Sequence, residues 1–370
     1  MPVIGLIFFL LLGYYIFAVI LLYIGLQKAT PAANGELYTV SVIVSCHNEE
    51  QNIPQLLTAL FNQDYPEDLL ELILINDRSQ DNTLILLNKA RAVKKNMKVF
   101  TLQDLDKTFA PKKRAIDLGI HNASGDLIII TDADGRPGPQ WIRTMAKNFE
   151  TSTGMVIGYA PYYSSGIISH ILALEYFSHA VVAAATAGLG FPLTCVGTNL
   201  AYRKSVYREL GGFGKYRYFH SGDDDLFLQR IRDESDWKIN YAFQPESHVY
   251  NAPPGGFLQF FNQRLRYASK GFLYPWKISI LLILAFLFNL QFVILGILGF
   301  IIPVFAGLFL VGIVIKVIAE GVLLRFARKK FGLEQRLWIL PFLSLLHIPY
   351  VVFFALFAQI LKFRWAGRTK

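Results

Sequence analysis

Asp132 and Asp134, in the stretch "IITDADGRPG" at 129–138, stand two residues apart directly after an uncharged run, Leu127 to Ile130. At that spacing two carboxylates can grip one hard divalent cation, which cancels their repulsion and then neutralises a phosphate. The plainer reading is a turn or a helix cap, since Asp and Gly favour turns. A calcium loop is excluded, because its fifth position wants a carboxylate or amide and its twelfth wants Glu, where this chain has Arg136 and Arg143. A second acidic cluster, Asp223, Asp224 and Asp225, lies in "SGDDDLFLQRI" at 221–231. Three adjacent carboxylates raise one another's proton affinity, so any pH profile would belong to the cluster. An acidic helix start is the ordinary alternative.

These carboxylates need a scaffold, and the surrounding pattern supplies one. Short β-rich runs at 38–46, 70–76, 97–102 and 126–131 alternate with helical patterns at 49–62, 81–95 and 112–122. That alternation predicts a parallel sheet with helical crossovers. Ligands of such sheets sit outside the carboxyl ends of the strands. "CHNEE", "NDRSQDNT" and "TDADG" follow three of the four runs and place polar residues at that edge; the third run is followed only by "QDLD".

The composition demands lipid as well. Of 370 residues 53% are hydrophobic and 17% charged, with a mean hydropathy of +0.37, which is too apolar for a soluble domain of this length. Residues 1–27 carry no Asp, Glu, Lys or Arg and are long enough for one crossing. The lack of a basic start and the length of the apolar part argue for an uncleaved anchor rather than a signal peptide. Residues 278–315 contain no charged side chain and 338–361 only the titratable His347. The expected organisation is an N-terminal transmembrane helix at 1–27, a globular domain at 28–277 ending in an interfacial segment at 256–277, and a membrane region at 278–370. That last region should hold two to three spans, near 278–298, 301–323 and 338–361. The apolar stretch at 165–190 reads preferentially as a core helix with His170 and His179 as satisfied polar groups, or else as a segment lying against the bilayer.

Net charge is +9, and the basic residues crowd near helix ends, at Lys28, Lys270, Lys277, "RFARKK" (325–330) and "KFRWAGRTK" (362–370). This points to anionic lipid and not to nucleic acid. Cys46 and Cys195 are too few for a disulfide scaffold, which fits a cytosolic globular domain. The positive-inside tendency then meets a conflict. Three C-terminal crossings would put the "RFARKK" loop inside but leave the basic tail outside, so one segment, 338–361 or part of 278–323, need not cross.

Five motifs in order resemble the membrane-embedded family 2 glycosyltransferases, with the nucleotide-sugar-binding GT-A fold: cellulose, chitin and poly-N-acetylglucosamine synthases and ceramide glucosyltransferases. "VSVIVSCHNEE" stands where the family has a strand and a Tyr-Asn-Glu-type turn, here with Asn48 and Glu49. "ILINDRSQDNT" stands where a strand ends in Asp-Asp-Gly-Ser-type residues, so that Asp77 would read the nucleotide base. "KKRAI" resembles the Lys-x-x-Ala-Leu step and puts Lys112 near the nucleotide. "TDADGRPGPQW" resembles the Asp-x-Asp element with its Pro-x-Trp, and "QRLRY" the Gln-x-x-Arg-Trp signature, with Gln263, Arg264, Arg266 and Tyr267. "CVGTNLAYRKSVYRELGGFG" resembles the Gly-x-Asn segment beside the acceptor site, with Gly197 and Asn199.

The resemblance implies a Mg²⁺ or Mn²⁺ cofactor with Asp134 as direct ligand and Asp132 nearer the nucleoside, a preference for uridine, and cationic help at the leaving group from Lys112 and Arg266. The other reading of Lys112, in the run Lys112, Lys113, Arg114, is a solvated helix face. It also implies a general base in the acidic cluster. Gly222 replaces the usual Glu if Leu226 fixes the register, making Asp223 the base; fixing it on Arg230 makes it Asp224. Tyr267 departs from Trp but keeps an aromatic platform, or the segment is an interface anchor. The expected activity is an inverting, metal-dependent transfer from a nucleotide sugar to a membrane-associated lipid or glycan, in a multi-pass protein of the plasma (inner) membrane with its catalytic domain cytosolic. At four spans or fewer a lipid acceptor is preferred over processive polysaccharide synthesis, and a polyprenyl-phosphate sugar transferase is disfavoured because "QRLRY" has no role there. The rival from another class is a membrane transporter or scaffold with a nucleotide-binding domain, disfavoured because only Lys316 and Glu320 place charge within a span.

Overall fold

The computed structural model describes residues 2–369 except Ala33, Leu105, Lys107, Ser165, Phe363, Ala366 and Gly367, so Leu105 of "QDLD" and, in the basic tail, Phe363, Ala366, Gly367 and Lys370 lie outside the described residues. A 27-residue helix, Pro2–Lys28 (α1), comes first. Strands Val40–Cys46 (β1), Leu70–Asp77 (β2), Met97–Leu102 (β3) and Leu127–Asp132 (β4) then alternate with helices Ile53–Phe61 (α2), Thr83–Val93 (α3) and Pro111–His121 (α4). Next come Arg136–Pro137 (β5), Trp141–Lys147 (α5), Thr153–Gly158 (β6), Ile167–Gly188 (α6), Leu200–Arg203 (β7) and Lys204–Glu209 (α7). Asp225–Glu234 (α8), Lys238–Ala242 (β8), Val249–Tyr250 (β9) and Phe257–Ala268 (α9) lead to three long helices, Trp276–Gly299 (α10), Pro303–Lys330 (α11) and Leu340–Phe357 (α12).

The chain divides into two units, residues 25–163 with 182–252, and residues 1–24 and 164–181 with 253–370. The first is built on a seven-stranded sheet of order β3-β2-β1-β4-β7-β6-β8. β1 pairs in parallel with β2 and β4, and β2 with β3. β7 runs antiparallel to β4 and β6, while β6 and β8 are parallel. β2 is buried along its whole length and β1 at all but one residue, because helices cover both faces of the parallel part; such strands read as unbroken apolar runs rather than alternating ones. Leu56, Leu60, Leu72, Leu74, Ile129, Trp141 and Phe149 belong to the core on one face. The predicted α/β, mostly parallel architecture is the observed one. The helix expected from residue 49 starts at Ile53, since Asn48 has φ +57° and residues 48–52 form a turn.

In this same unit the end of α1 crosses the end of α6 backbone to backbone. A Cβ on Gly25 would fall 2.1 Å from the Ala185 carbonyl oxygen, and one on Gly188 would fall 2.1 Å from that of Gly25. Only glycine allows that approach, as in the small-residue crossings of membrane helices.

The second unit is helical. Phe8 and Leu12 of α1 pack with Phe288, Phe292 and Leu295 of α10, Phe305 of α11 and Ile348 of α12. Outward-facing side chains such as Phe9, Ile297, Phe300 and Leu310 are exposed apolar groups, which suits lipid and not water. Among the described residues, α1, α6, α10, α11 and residues 337–357 are five helices long and apolar enough to cross a membrane. The count exceeds the four segments expected by α6, which qualifies by length and composition alone, while β6 before it and β7 after it pair directly in one sheet. "RFARKK" is no loop but the last turns of α11; Arg and Lys are good helix formers and complement the negative end of the helix dipole. Glu320 of α11 joins three helices: it accepts hydrogen bonds from Tyr15 of α1, Lys316 of its own helix and Ser344 of α12.

Candidate active site

Two loops at the carboxyl edge are laced to each other. The Asn48 amide donates to Ser79 Oγ at 3.0 Å and Asn48 Oδ1 accepts from the Gln80 amide at 2.8 Å. The Glu49 amide donates to Thr83 Oγ1 and the Glu50 amide to Asp81 Oδ2. Asn48 and Arg78 both sit in the left-handed region, at φ +57° and +56°, a strain of about 1 kcal/mol or more each for non-glycine residues that concentrates at functional sites. Asp77, predicted to read a base, ends β2, is buried, and accepts from Arg78 Nε at 2.7 Å.

The decisive geometry lies over β4. Lys112, in the first turn of α4, places Nζ 2.8 Å from Asp132 Oδ1 and 3.0 Å from Asp223 Oδ2. Burial works against its charge, but the carboxylates of Asp132, Asp223 and Asp224 outweigh burial and hold the ammonium protonated well above the usual lysine range. Burial likewise opposes charge on Asp223, yet the Lys112 ammonium keeps its pKa down at about 2. Lys112 is therefore a bridge between the two acidic clusters and not part of a solvated face. The Thr198 hydroxyl donates to the other oxygen of Asp132 at 2.6 Å.

Asp224 is engaged differently. Its Oδ2 accepts the Gly197 amide at 2.9 Å and its Oδ1 the Asp225 amide at 2.7 Å, capping α8. Asp225 is buried in the first turn of α8. A Cβ on Gly197 would sit 3.3 Å from the Asp223 carboxylate and 3.4 Å from both Asp224 and Lys112 Nζ, so glycine lets the main chain pass beside all three charges. Asn199 is wholly buried: Oδ1 accepts from Trp141 Nε1, and Nδ2 donates to the carbonyls of Tyr159 and Ser247. Its amide is spent in holding the Pro-x-Trp tryptophan against the strands, so it supports the site without facing it.

Lys113, unmarked in the sequence, is almost wholly buried. Its three ammonium donors meet the carbonyls of Tyr216, Phe219 and Ser221 at 2.7, 2.9 and 2.9 Å, and the Ala110 amide donates to Arg217 O at 2.7 Å. The start of α4 thus fixes the loop that delivers Asp223. Gly222, at φ +79°, makes the final turn before it.

Asp134 lies open to solvent, yet protein crowds round it, so burial and then the Asp132 charge raise its proton affinity. Glu49 is raised by burial, with Asp134 and Asp132 adding to the effect. A divalent cation would relieve that crowding of negative charge. Among the described residues no group of three or more His, Cys, Asp or Glu side chains is arranged to hold a metal ion. Both oxygens of Asp132 already have partners in Lys112 and Thr198, which leaves Asp134 as the open hard ligand. Such a site fits Mg²⁺ or Mn²⁺, ions commonly held by one or two carboxylates with substrate phosphates and water completing the shell.

Gln263, Arg264, Arg266 and Tyr267 lie on α9, in the helical unit, whereas the carboxylates and Lys112 belong to the sheet unit. Arg264 is buried and its guanidinium reaches Glu175 of α6; it stacks near Phe260 and Tyr267, with centroids 5.0 and 5.6 Å away. Arg266 lies 5.3 Å from the Tyr267 ring. His179 is satisfied as expected, at 3.1 Å from Glu175. Thr198 and Lys113 are the residues the motifs did not single out. Thr198 lies between two predicted positions, and Lys113 carries no pattern distinguishing it from a surface lysine.

The model of glycosyl transferase family 2 matches residues 41–211, and that of glycosyl transferase family group 2 matches residues 127–358, more than half the chain. The chain belongs to glycosyltransferase family 2. A probable glycosyltransferase of Bacillus subtilis, YdaM, is 28% identical over 183 residues, 48% of this chain and 43% of the relative. Another family member, the poly-beta-1,6-N-acetyl-D-glucosamine synthase of Staphylococcus epidermidis, is 25% identical over 63% of this chain and 54% of its own. The chain thus spans about half the length of these two relatives. A solved mannosyltransferase, PcManGT from Pyrobaculum calidifontis in complex with GDP-Man and Mn2+, matches 94% of this chain and 99% of its own. Its TM-score is 0.61 at 17% identity, which establishes a shared fold.

Proposed function

We propose that the protein is an inverting, divalent-metal-dependent glycosyltransferase that moves a hexose from a nucleotide sugar, a UDP-sugar by family resemblance, to a lipid or lipid-linked acceptor at a membrane. The observation that carries this reading is the Lys112 bridge, which joins the carboxylate on the donor side, Asp132, to the candidate base, Asp223. Asp134, with Asp132 behind it, would hold Mg²⁺ or Mn²⁺; when bound, that ion neutralises charge on the departing diphosphate.

The rest falls to the chain itself. Asn48, Glu49 and Asp77 line the nucleotide side. Lys112 supplies a fixed positive charge where the leaving group gains negative charge. As Lys112 shares its charge with the diphosphate, its hold on Asp223 weakens and the Asp223 carboxylate becomes a better proton acceptor. Asp223 takes the proton of the acceptor hydroxyl, the hydroxyl oxygen bonds to the anomeric carbon, and the electron pair of the old glycosidic bond leaves on the diphosphate. One displacement inverts the anomeric centre. Asp224 and Gly197 hold the geometry. Roles for Gln263, Arg264, Arg266 and Tyr267 at the leaving group or acceptor are supported by resemblance alone. A multi-pass protein of the plasma membrane with a cytosolic catalytic domain is supported by the apolar helices α1, α10, α11 and residues 337–357 and the basic residues at Lys28 and at the end of α11.

Purified protein in bilayers, given a panel of nucleotide sugars with Mg²⁺ or Mn²⁺, should release nucleoside diphosphate, stop on chelation and recover on adding metal back. Asp134→Ala should lose about 100-fold or more of turnover while keeping its thermal midpoint. Turnover indifferent to chelators, or an Asp134→Ala variant with full activity, would defeat the proposal and favour a transporter or scaffold. The similarity to a polysaccharide synthase supports processive synthesis as a second reading; product length separates it from single transfer.

A further inference from the structure

Tyr163 and Tyr250 stack on each other with ring centroids 5.3 Å apart and planes 23° from parallel, and both stay exposed, at 50% and 38%. Their place follows from the topology. β6 and β8 are parallel, and β6 is antiparallel to β7, which is antiparallel to β4. β4, β6 and β8 therefore end at the same edge, and the segments after β6 and β8, which carry Tyr163 and Tyr250, lie across β4 from β1 to β3. A nucleotide over β1 to β3 would project its sugar over β4 and leave the acceptor beyond it.

The pair is held rigidly. The Tyr163 amide donates to Asn251 O at 2.8 Å and the Asn251 amide to Pro161 O at 2.9 Å, while Tyr250 pairs with Arg136 across the β5–β9 ladder. The Arg136 side chain is itself fixed, by Asn52 Oδ1 at 2.8 Å and Gln55 Oε1 at 2.9 Å. Arg136 follows Asp134 by two residues in the chain, so the strand that pairs with Tyr250 begins next to the candidate metal-site carboxylate.

We infer that Tyr163 and Tyr250 form a stacking platform for a pyranose ring of the acceptor, an assignment that rests on the transferase reading above. A preordered aromatic face costs little entropy on binding, and the polarised C–H face of a pyranose packs on the negative face of a π system. The acceptor therefore carries a sugar at the reacting end and is not a bare lipid alcohol.

The test uses the full chain in bilayers with its donor, adding in turn soluble oligosaccharides of glucose, N-acetylglucosamine, mannose and galactose. At least one should raise nucleoside diphosphate release and show saturation-transfer NMR contact to tyrosine ring protons. In Tyr163→Ala and Tyr250→Ala the KM for that sugar should rise about tenfold, equivalent to about 1.4 kcal/mol, with donor affinity by calorimetry unmoved; Tyr163→Phe and Tyr250→Phe should retain it. No response to any sugar, or equal KM in the alanine variants, overturns the platform. So does a loss confined to vesicle binding, which would make the pair an interfacial anchor. A wild-type protein that turns over no nucleotide sugar at all would sink the transferase reading instead, so the two failures are distinguishable.

Discussion

Lys112 and Lys113 are neighbours in one helical turn with separate tasks, one bridging carboxylates and the other pinning three carbonyls. Side chains one residue apart on a helix point about 100° apart, so a single turn can serve the reacting groups and the loop that delivers them. Lys113→Met would remove the ammonium from the Phe219 and Ser221 carbonyls and leave Tyr216 O with only the Phe219 amide, and should cost about 1–3 kcal/mol in denaturant unfolding. It should also cut kcat with little change in donor affinity, because Asp223 loses its support while Asp132 and Asp134 do not. At this scale the sequence was only partly legible. Asp132, Asp134 and Asp223 stood out because carboxylates are unusual after apolar runs or in clusters, and Gly197 through the resemblance of its Gly-x-Asn segment alone. Lys113 did not, since burial of an ammonium depends on carbonyls about 100 residues away in the chain, and Asn199 looked substrate-facing because nothing local shows that its amide is committed to Trp141.

Among the elements, the strands and crossover helices of the sheet were legible to within a few residues, because β-rich runs and helical periodicity are local signals. α6 is ambiguous for a physical reason: small residues such as Ala183, Ala184, Ala185 and Gly188 suit a tight helix crossing and a core helix equally. In the helical unit, Glu320 gathers Tyr15, Lys316 and Ser344 from three helices. Removing its charge strands the buried Lys316, so Glu320→Gln should lower stability by about 3–5 kcal/mol, read as a drop in the thermal midpoint in detergent. The double change Lys316→Met with Glu320→Leu should recover most of that loss, since no uncompensated charge remains. A single variant with an unchanged midpoint would show that the hub does not tie the helices together.

For the whole molecule, acid sensitivity follows from groups in the sheet unit. Burial pushes His248 down from 6.5 to about 4, with only the Phe243 carbonyl opposing. The unfolded chain thus takes up a proton near pH 6.5 that the fold refuses until pH 4. Stability is unaffected above pH 6.5 and falls by about 3 kcal/mol as pH drops from 6.5 to 4. Glu71 adds a second window: burial opposes its charge, but Lys98, Ser41 and Ser124 hold it down to about 2, so its contribution is present above about pH 4.5 and lost towards pH 2. Denaturant midpoints measured from pH 7.5 to 4 should fall, and His248→Phe should flatten the upper part of that decline; a parallel decline in both proteins would rule His248 out as its source.

The Gly25–Gly188 crossing also has a consequence in time. The two glycines make their contact from positions far apart in the chain, and a ribosome adding roughly 5–20 residues per second needs about ten to thirty seconds to bridge such a gap. Through that interval the glycine face at the end of α1 stays uncovered, so the nascent chain is most open to pairing with a wrong neighbour before its own second glycine has been translated.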